Sequence, residues 1–321
     1  MANSWRSQVR KYKTYIFVVL LIFLTLRVIV PQLDDLRDAL SSLDTANTYW
    51  ILLGLIVFFL AVPLSALQYI ALALKPIGFI LTLRVQMAVL FVSKLLPQSV
   101  GSISLNVYYL MKEKHTASQA AAVMTMDGIT NGVAYAMLMV AALMLSPISL
   151  DGAKGSLNIS ANLIIFVAIL LLGAIYFILR SKWIHKRVAG IWEDLKINFS
   201  SYKQKPISVI AAGVLNGLAS LTSIFVLWAS AQAFGVDLSF SGALLAYTFG
   251  NIAATLIPTP GGIGAVEAGI YSGLVLVGVD GPDATLITLL YRLITYWIPI
   301  VPGALFFMGL RKDLLAGYKI K

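Results

Sequence analysis

Leu96-Pro97-Gln98-Ser99-Val100-Gly101 and Ile257-Pro258-Thr259-Pro260-Gly261-Gly262-Ile263-Gly264 each interrupt a hydrophobic stretch, at corresponding positions in the two halves of the chain. Proline removes a backbone donor and glycine admits left-handed conformations, so each run ends a helix where hydrocarbon excludes unpaired backbone. Irregular backbone persists inside a membrane only where it is buried in protein or lines a water-filled cavity, and paired breaks of this kind point to a substrate path. Pro97, Gly101, Pro258, Pro260, Gly261, Gly262 and Gly264 are its expected backbone part.

The composition around these breaks is that of a membrane protein. Of 321 residues, 59% are hydrophobic and only 12% charged, and several apolar runs are long enough to cross a hydrocarbon core of about 30 Å at about 1.5 Å per residue. The apolar run at 15–30 follows a basic segment but precedes no small-residue cleavage site, so it reads as an uncleaved first span. Cysteine is absent, which excludes disulfides and thiolate metal sites. The net charge of +10 lies mostly in short segments between apolar runs, where it acts as a topology signal and not as a nucleic-acid surface.

Working outward from the breaks, full spans are expected at 15–30, 50–74, 117–145, 161–180, 207–233 and 284–310. The broken segments 79–111 and 241–277 have return arms, 102–111 and 265–277, too short to cross, and read as re-entrant helical hairpins. Connectors at 33–47 and 182–202 alternate apolar and charged positions at helical spacing and read as interfacial helices. The fold class expected is an all-α polytopic membrane protein: six full spans plus two hairpins, a single integral domain over 1–321 made of two inverted repeats, 15–145 and 161–310. In that layout the segments on one side carry 18 Lys or Arg and 4 Asp or Glu, and those on the other 2 Lys or Arg and 8 Asp. The basic side is cytoplasmic by the positive-inside rule, and both termini fall on it.

Six charges lie within the apolar segments: Arg27, Arg84, Lys94, Asp127, Glu267 and Arg292. Each costs about 2.5–3.5 kcal/mol at a helix centre, so most must face one another or water. Arg27 and Arg84 sit near segment ends, where snorkelling suffices. Lys94, Asp127, Glu267 and Arg292 are the candidate substrate-binding residues, with Asp127 laid on Arg292 in the repeat alignment. An excess of buried cation suits an anionic group such as a phosphate. Glu267 or Asp127 would take up a proton if transport is coupled to a proton gradient.

No catalytic residue, cofactor or metal site is expected. Gly262-Ile-Gly264 lacks the third glycine and the strand of a dinucleotide fingerprint. His115 and His185 lie in basic connectors and read as surface residues. The pairs Gly128/Gly132, Gly213/Gly217 and Gly269/Gly273 permit close helix contact.

The run Pro258-Thr-Pro-Gly-Gly-Ile-Gly-Ala-Val-Glu267, followed by Gly278-Val279 and Arg292, resembles the lysylphosphatidylglycerol synthase transmembrane-region family of flippase-like membrane proteins. Where its members carry an acidic residue and an arginine after the first glycine, this chain has Ser102, Ser104 and Asn106. The resemblance implies a bacterial or archaeal cytoplasmic-membrane protein that moves an aminoacylated phospholipid or a polyprenyl-phosphate-linked sugar between leaflets. Two-domain members carry a soluble aminoacyl-transferase after the membrane part; this sequence ends at Lys321, close after its last expected span, so a stand-alone translocator is expected. The alternatives are a membrane enzyme acting on lipid-borne phosphate or sugar, or an accessory subunit of a cell-envelope glycosyltransferase.

Overall fold

A computed structural model describes residues 44, 46–95, 98–145, 199–257 and 259–315. The spans expected at 15–30 and 161–180, most of both interfacial connectors, Arg27, Pro97, Pro258 and His185 lie outside the described residues.

Helix α1, Thr48–Leu72, begins at Asn47, whose side chain accepts from the Tyr49 amide at 3.0 Å. This satisfies one of the four donors a helix start leaves orphaned. The Asn47 amide in turn donates to the Ala233 carbonyl at the far end of α5, Pro206–Ala233, and the two helices pack along each other. Helices α2, Phe79–Leu95, and α3, Gln98–Lys112, flank the first break. Gly101 is buried there; a Cβ on it would stand 2.5 Å from the Val92 carbonyl oxygen, so only glycine lets α3 start this close to α2.

Helix α4, Ala117–Leu145, opens on a reciprocal capping box. Thr116 Oγ1 accepts from the Gln119 amide at 3.2 Å, and Gln119 Oε1 accepts from the Thr116 amide at 3.0 Å. Helices α6, Phe240–Leu256, and α7, Ala265–Leu276, flank the second break. They lie against each other through glycine: Cβ atoms on Gly269 and Gly273 would stand 2.6 Å from the Phe249 carbonyl oxygen and 2.5 Å from the Ala246 Cα. Gly128, Gly132, Gly213 and Gly217 meet nothing within 4 Å. Helix α8, Gly281–Arg292, is capped by Asp280, then widens into a π turn at Leu293–Trp297 and continues as α9, Ile298–Leu315.

The structure corrects the expected fold class. Among the described residues, four helices are long and apolar enough to cross a bilayer, Thr48–Leu72, Ala117–Ala142, Pro206–Ala233 and Gly281–Leu310. The described residues form an all-α polytopic membrane protein with four long apolar helices, and not six spans plus two hairpins in inverted repeats. The two broken segments are not packed alike: α7 lies on α6 through its glycines, whereas α2 has α9 as its main neighbour and α3 as its second. Runs of apolar residues carry no information about which helix they bury against, and the repeat reading fails for that reason.

One core cluster gathers Phe58, Ile224, Leu227, Leu245, Ile270 and Ile294, and a second gathers Leu72, Val85, Tyr109, Leu110 and Val123. The outer faces are apolar as well, with Leu52, Ile56 and Leu60 on α1 and Ile207, Ile210 and Val214 on α5 all exposed at helical spacing. Bands like these suit contact with acyl chains.

His115, expected at the surface, is buried in the turn between α3 and α4. Its Nε2 accepts from the Lys75 amide at 3.1 Å, and its Nδ1 faces the Leu110 carbonyl at 3.2 Å. The neutral ring with hydrogen on Nδ1 thus ties this turn to the end of α1. Burial, opposed in part by the Glu113 and Leu110 carbonyls, lowers the pKa of the imidazole below its ordinary value. A lowered folded-state pKa means the unfolded chain binds the proton first. The contribution is therefore complete above the ordinary histidine range and lost as pH falls through the folded-state value. Thermal unfolding in detergent is expected to show a melting temperature that drops on acidification toward about pH 5, less so in His115→Gln; equal drops in the two proteins would contradict the assignment.

Candidate functional site

The second break is built from positive-φ glycines. Gly261, Gly262 and Gly264 have φ of +62°, +73° and +79°, a region L side chains rarely enter. Thr259 Oγ1 donates to the Ile263 carbonyl at 2.8 Å and closes the turn; Pro260 lies within it, half-buried. A Cβ on Gly261 would fall 2.5 Å from Tyr296 Cε2 and 3.1 Å from the Lys94 carbonyl oxygen, so the second break seats directly against the end of α2 and the π turn.

Three of the four charged candidates converge there. Arg292, buried at the end of α8, donates from Nε to Glu267 Oε1 at 2.5 Å and from Nη2 to the Gly261 carbonyl at 3.4 Å. Glu267 is in the first turn of α7, where the helix dipole favours its charge. Its other oxygen, Oε2, is buried without a hydrogen-bond partner among the described residues. The Arg292 guanidinium lies 4.4 Å from the Tyr296 ring centroid and the Lys94 ammonium 5.2 Å from the same centroid. One aromatic ring thus carries two cations, an arrangement of cation–π contacts made possible by a π turn that sets Tyr296 just beyond Arg292. Single π turns inside α-helices are frequent at functional sites.

Lys94 makes no ion pair or hydrogen bond to any described residue. With Arg292 it borders a cavity of about 250 Å³ whose wall also includes Ser93, Tyr291 and Thr295. After the Glu267–Arg292 pair is counted as neutral, Lys94 is the remaining basic group that borders this cavity among the described residues.

Asp127 is not part of that cluster. Its two oxygens accept from Gln68 Nε2 and, at 3.1 Å, from the Tyr69 hydroxyl, both on α1. The alignment of Asp127 on Arg292 therefore falls with the repeat. Asp127 instead borders a second cavity, of about 580 Å³, between α3, α4 and α6. Tyr135 and Asn251 border both cavities. The Tyr135 hydroxyl donates to Asn251 Oδ1 at 3.3 Å and stands 3.2 Å from the Tyr247 hydroxyl, forming a thin polar partition between them.

Gly101 lies at the α2–α3 contact and lines neither cavity; its part is to let the first break pack. Arg84 is exposed, beside a separate surface pocket with Phe306 and Leu310. Residues that the sequence does not single out, Tyr296, Tyr135, Asn251, Gln68 and Tyr69, complete the surroundings of the two cavities. Gln68 and Asn251 carry a signal, an amide within an apolar helix; the tyrosines carry none, since aromatic residues fill helix packing everywhere. Among the described residues no cluster of His, Cys, Asp and Glu could hold a metal ion.

A UPF0104 membrane protein of Methanothermobacter thermautotrophicus is 33% identical over 93 residues, which is 29% of this chain and 28% of that protein. A UPF0104 membrane protein of Methanocaldococcus jannaschii is 24% identical over 237 residues, 70% of this chain and 97% of that protein. Residues 13–303 match the sequence profile of the lysylphosphatidylglycerol synthase TM region. That match takes in Lys94, Asp127, Glu267 and Arg292 together with both breaks, and with it the chain belongs to the lysylphosphatidylglycerol synthase TM-region family of flippase-like, multi-pass membrane proteins.

Proposed function

We propose that this protein moves an anionic lipid, an aminoacylated phospholipid or a polyprenyl-phosphate-linked sugar, between the leaflets of a bacterial or archaeal cytoplasmic membrane, leaving the lipid chemically unchanged. The single observation that carries this reading is Lys94: a cation with no ion-pair or hydrogen-bond partner among the described residues, facing a cavity it shares with Arg292 inside an apolar helix bundle. A lysine in such a place holds its proton best when an anion is beside it. A lipid phosphate supplies that anion, held by the lysine as a point charge and by the face of Arg292 not spent on Glu267.

Reconstitution of the pure protein into proteoliposomes with a fluorescent phosphatidylglycerol, quenched from outside, tests the reading. Lys94→Ala is expected to slow translocation by about tenfold, the worth of one charge-assisted hydrogen bond, and Lys94→Arg to keep much of the rate. Unchanged transport in Lys94→Ala would overturn the assignment. So would a chemically altered head group, which would make the protein an enzyme, or transport seen only with a co-purified glycosyltransferase, which would make it an accessory subunit.

A further inference from the structure

The larger cavity, the one bordered by Asp127, is walled by two facing polar stripes. On α4, Asp127, Asn131 and Tyr135 follow one another at intervals of four; on α6, Thr248, Asn251 and Thr255 follow at three and four. Such spacing puts each set on one face of its helix. Both helices are largely apolar, so these groups are in a place where each unmatched polar atom is costly. Among these six residues the two stripes meet only at Tyr135 and Asn251. The Asn131 amide makes no hydrogen bond to a described residue, and the hydroxyls of Thr248 and Thr255 donate to their own helix, to the Leu244 and Asn251 carbonyls, leaving oxygen lone pairs for the cavity.

The chemistry of these walls selects among occupants. No lysine or arginine among the described residues borders the cavity and a carboxylate does, which disfavours a second phosphate. An ammonium group would seek Asp127, but both Asp127 oxygens already accept from Gln68 and Tyr69, and the remaining groups are neutral. The amide donors and the amide and hydroxyl oxygens that remain match a ligand whose groups each donate and accept, which is a set of hydroxyls. The position matches as well, because Tyr135 and Asn251 line both this cavity and the one bordered by Lys94 and Arg292.

We infer that this cavity is the subsite for a polyhydroxylated head, a sugar or a glycerol, carried on the phosphate that Lys94 and Arg292 hold. The inference rests on the reading of the smaller cavity as the phosphate site and adds the class of group attached to that phosphate.

Native mass spectrometry of the full chain in nanodiscs tests it with two matched pairs of lipids: phosphatidylethanol against phosphatidylglycerol, and a methyl polyprenyl phosphate against the glucosyl ester. Within a pair the charge is the same and only the hydroxyls differ. The hydroxylated member is expected to bind about threefold to tenfold tighter in at least one pair. Asn131→Leu and Thr255→Val, on facing helices, are each expected to remove that gain and leave the other member's binding unchanged, so one misfolded variant still leaves the other to decide. A gain in the glucosyl pair alone identifies a sugar, and in the glycerol pair alone a glycerol. Equal binding within both pairs, with Lys94→Ala still weakening every lipid, overturns the subsite and spares the phosphate site. Binding indifferent to Lys94→Ala overturns the phosphate site itself. Lysyl-phosphatidylglycerol binding tighter than phosphatidylglycerol, with the difference lost in Asp127→Asn, would assign the cavity to an amine and end the proposal.

Discussion

Arg292→Met is expected to unfold more easily than the parent by about 3–5 kcal/mol and to lose transport, because it strands the Glu267 carboxylate in a buried site with no cation bonded to it. The Nε–Oε1 contact at 2.5 Å is the single ion pair among the described residues, and the partner side chains are 8% and 23% exposed. The desolvation cost of the carboxylate is already part of the native structure, so removing the guanidinium leaves that cost without the attraction that offset it. The second half of the prediction separates stability from function. Adding Glu267→Gln to Arg292→Met removes the stranded charge and is expected to restore most of the melting temperature in detergent, while transport stays absent for want of the arginine. A double variant no more stable than the single would show that the pair is not what holds α7 to α8.

Gly261→Ala is expected to have the second large effect, and a different one from glycine substitutions elsewhere. The new Cβ would lie 2.5 Å from Tyr296 Cε2 at a backbone φ of +62°. The left-handed conformation costs a non-glycine residue about 1–2 kcal/mol and the overpacking about 1–3 more. Relief requires the Tyr296 ring to move, and that ring carries both cations. Stability and transport should therefore fall together. Gly101→Ala, against the Val92 carbonyl, is expected to cost stability by a similar overpacking without touching either cavity. Gly213→Ala, with nothing within 4 Å, should melt like the parent. Thermal unfolding and proteoliposome transport of the three variants check the ranking; a Gly261→Ala protein with parental stability and rate would mean the Tyr296 ring is not confined between the second break and the two cations.

The meeting of Glu267 with Arg292 is partly legible in the amino-acid sequence, because charges within apolar segments must find one another or water. Their further partners are not. Tyr296 looks like any aromatic residue in an apolar helix until the π turn places it over Arg292. Counting along the chain matches Asp127 to Arg292, yet its carboxylate is held by Gln68 and Tyr69, which come from α1. His115 reads as solvated beside Lys112 and Lys114, but the turn buries it against the start of the α1–α2 connection. The repeat and its hairpins rest on run length and on the order of breaks, and neither property states which helix packs on which.

Read alone, the order of residues places this chain in a membrane, breaks its backbone at two positions and names the ionisable groups carried into the apolar segments. Those properties are sums over residues of a transfer free energy and of local backbone preference, and each residue contributes to them wherever its neighbours lie. Helix packing alone puts Lys94 and Arg292 on one ring, assigns Asp127 to a separate cavity and stands Tyr135 and Asn251 between the two. Such pairings join side chains from α2, α4, α6 and the π turn, far apart in the chain, and their energy exists only once the helices have come together.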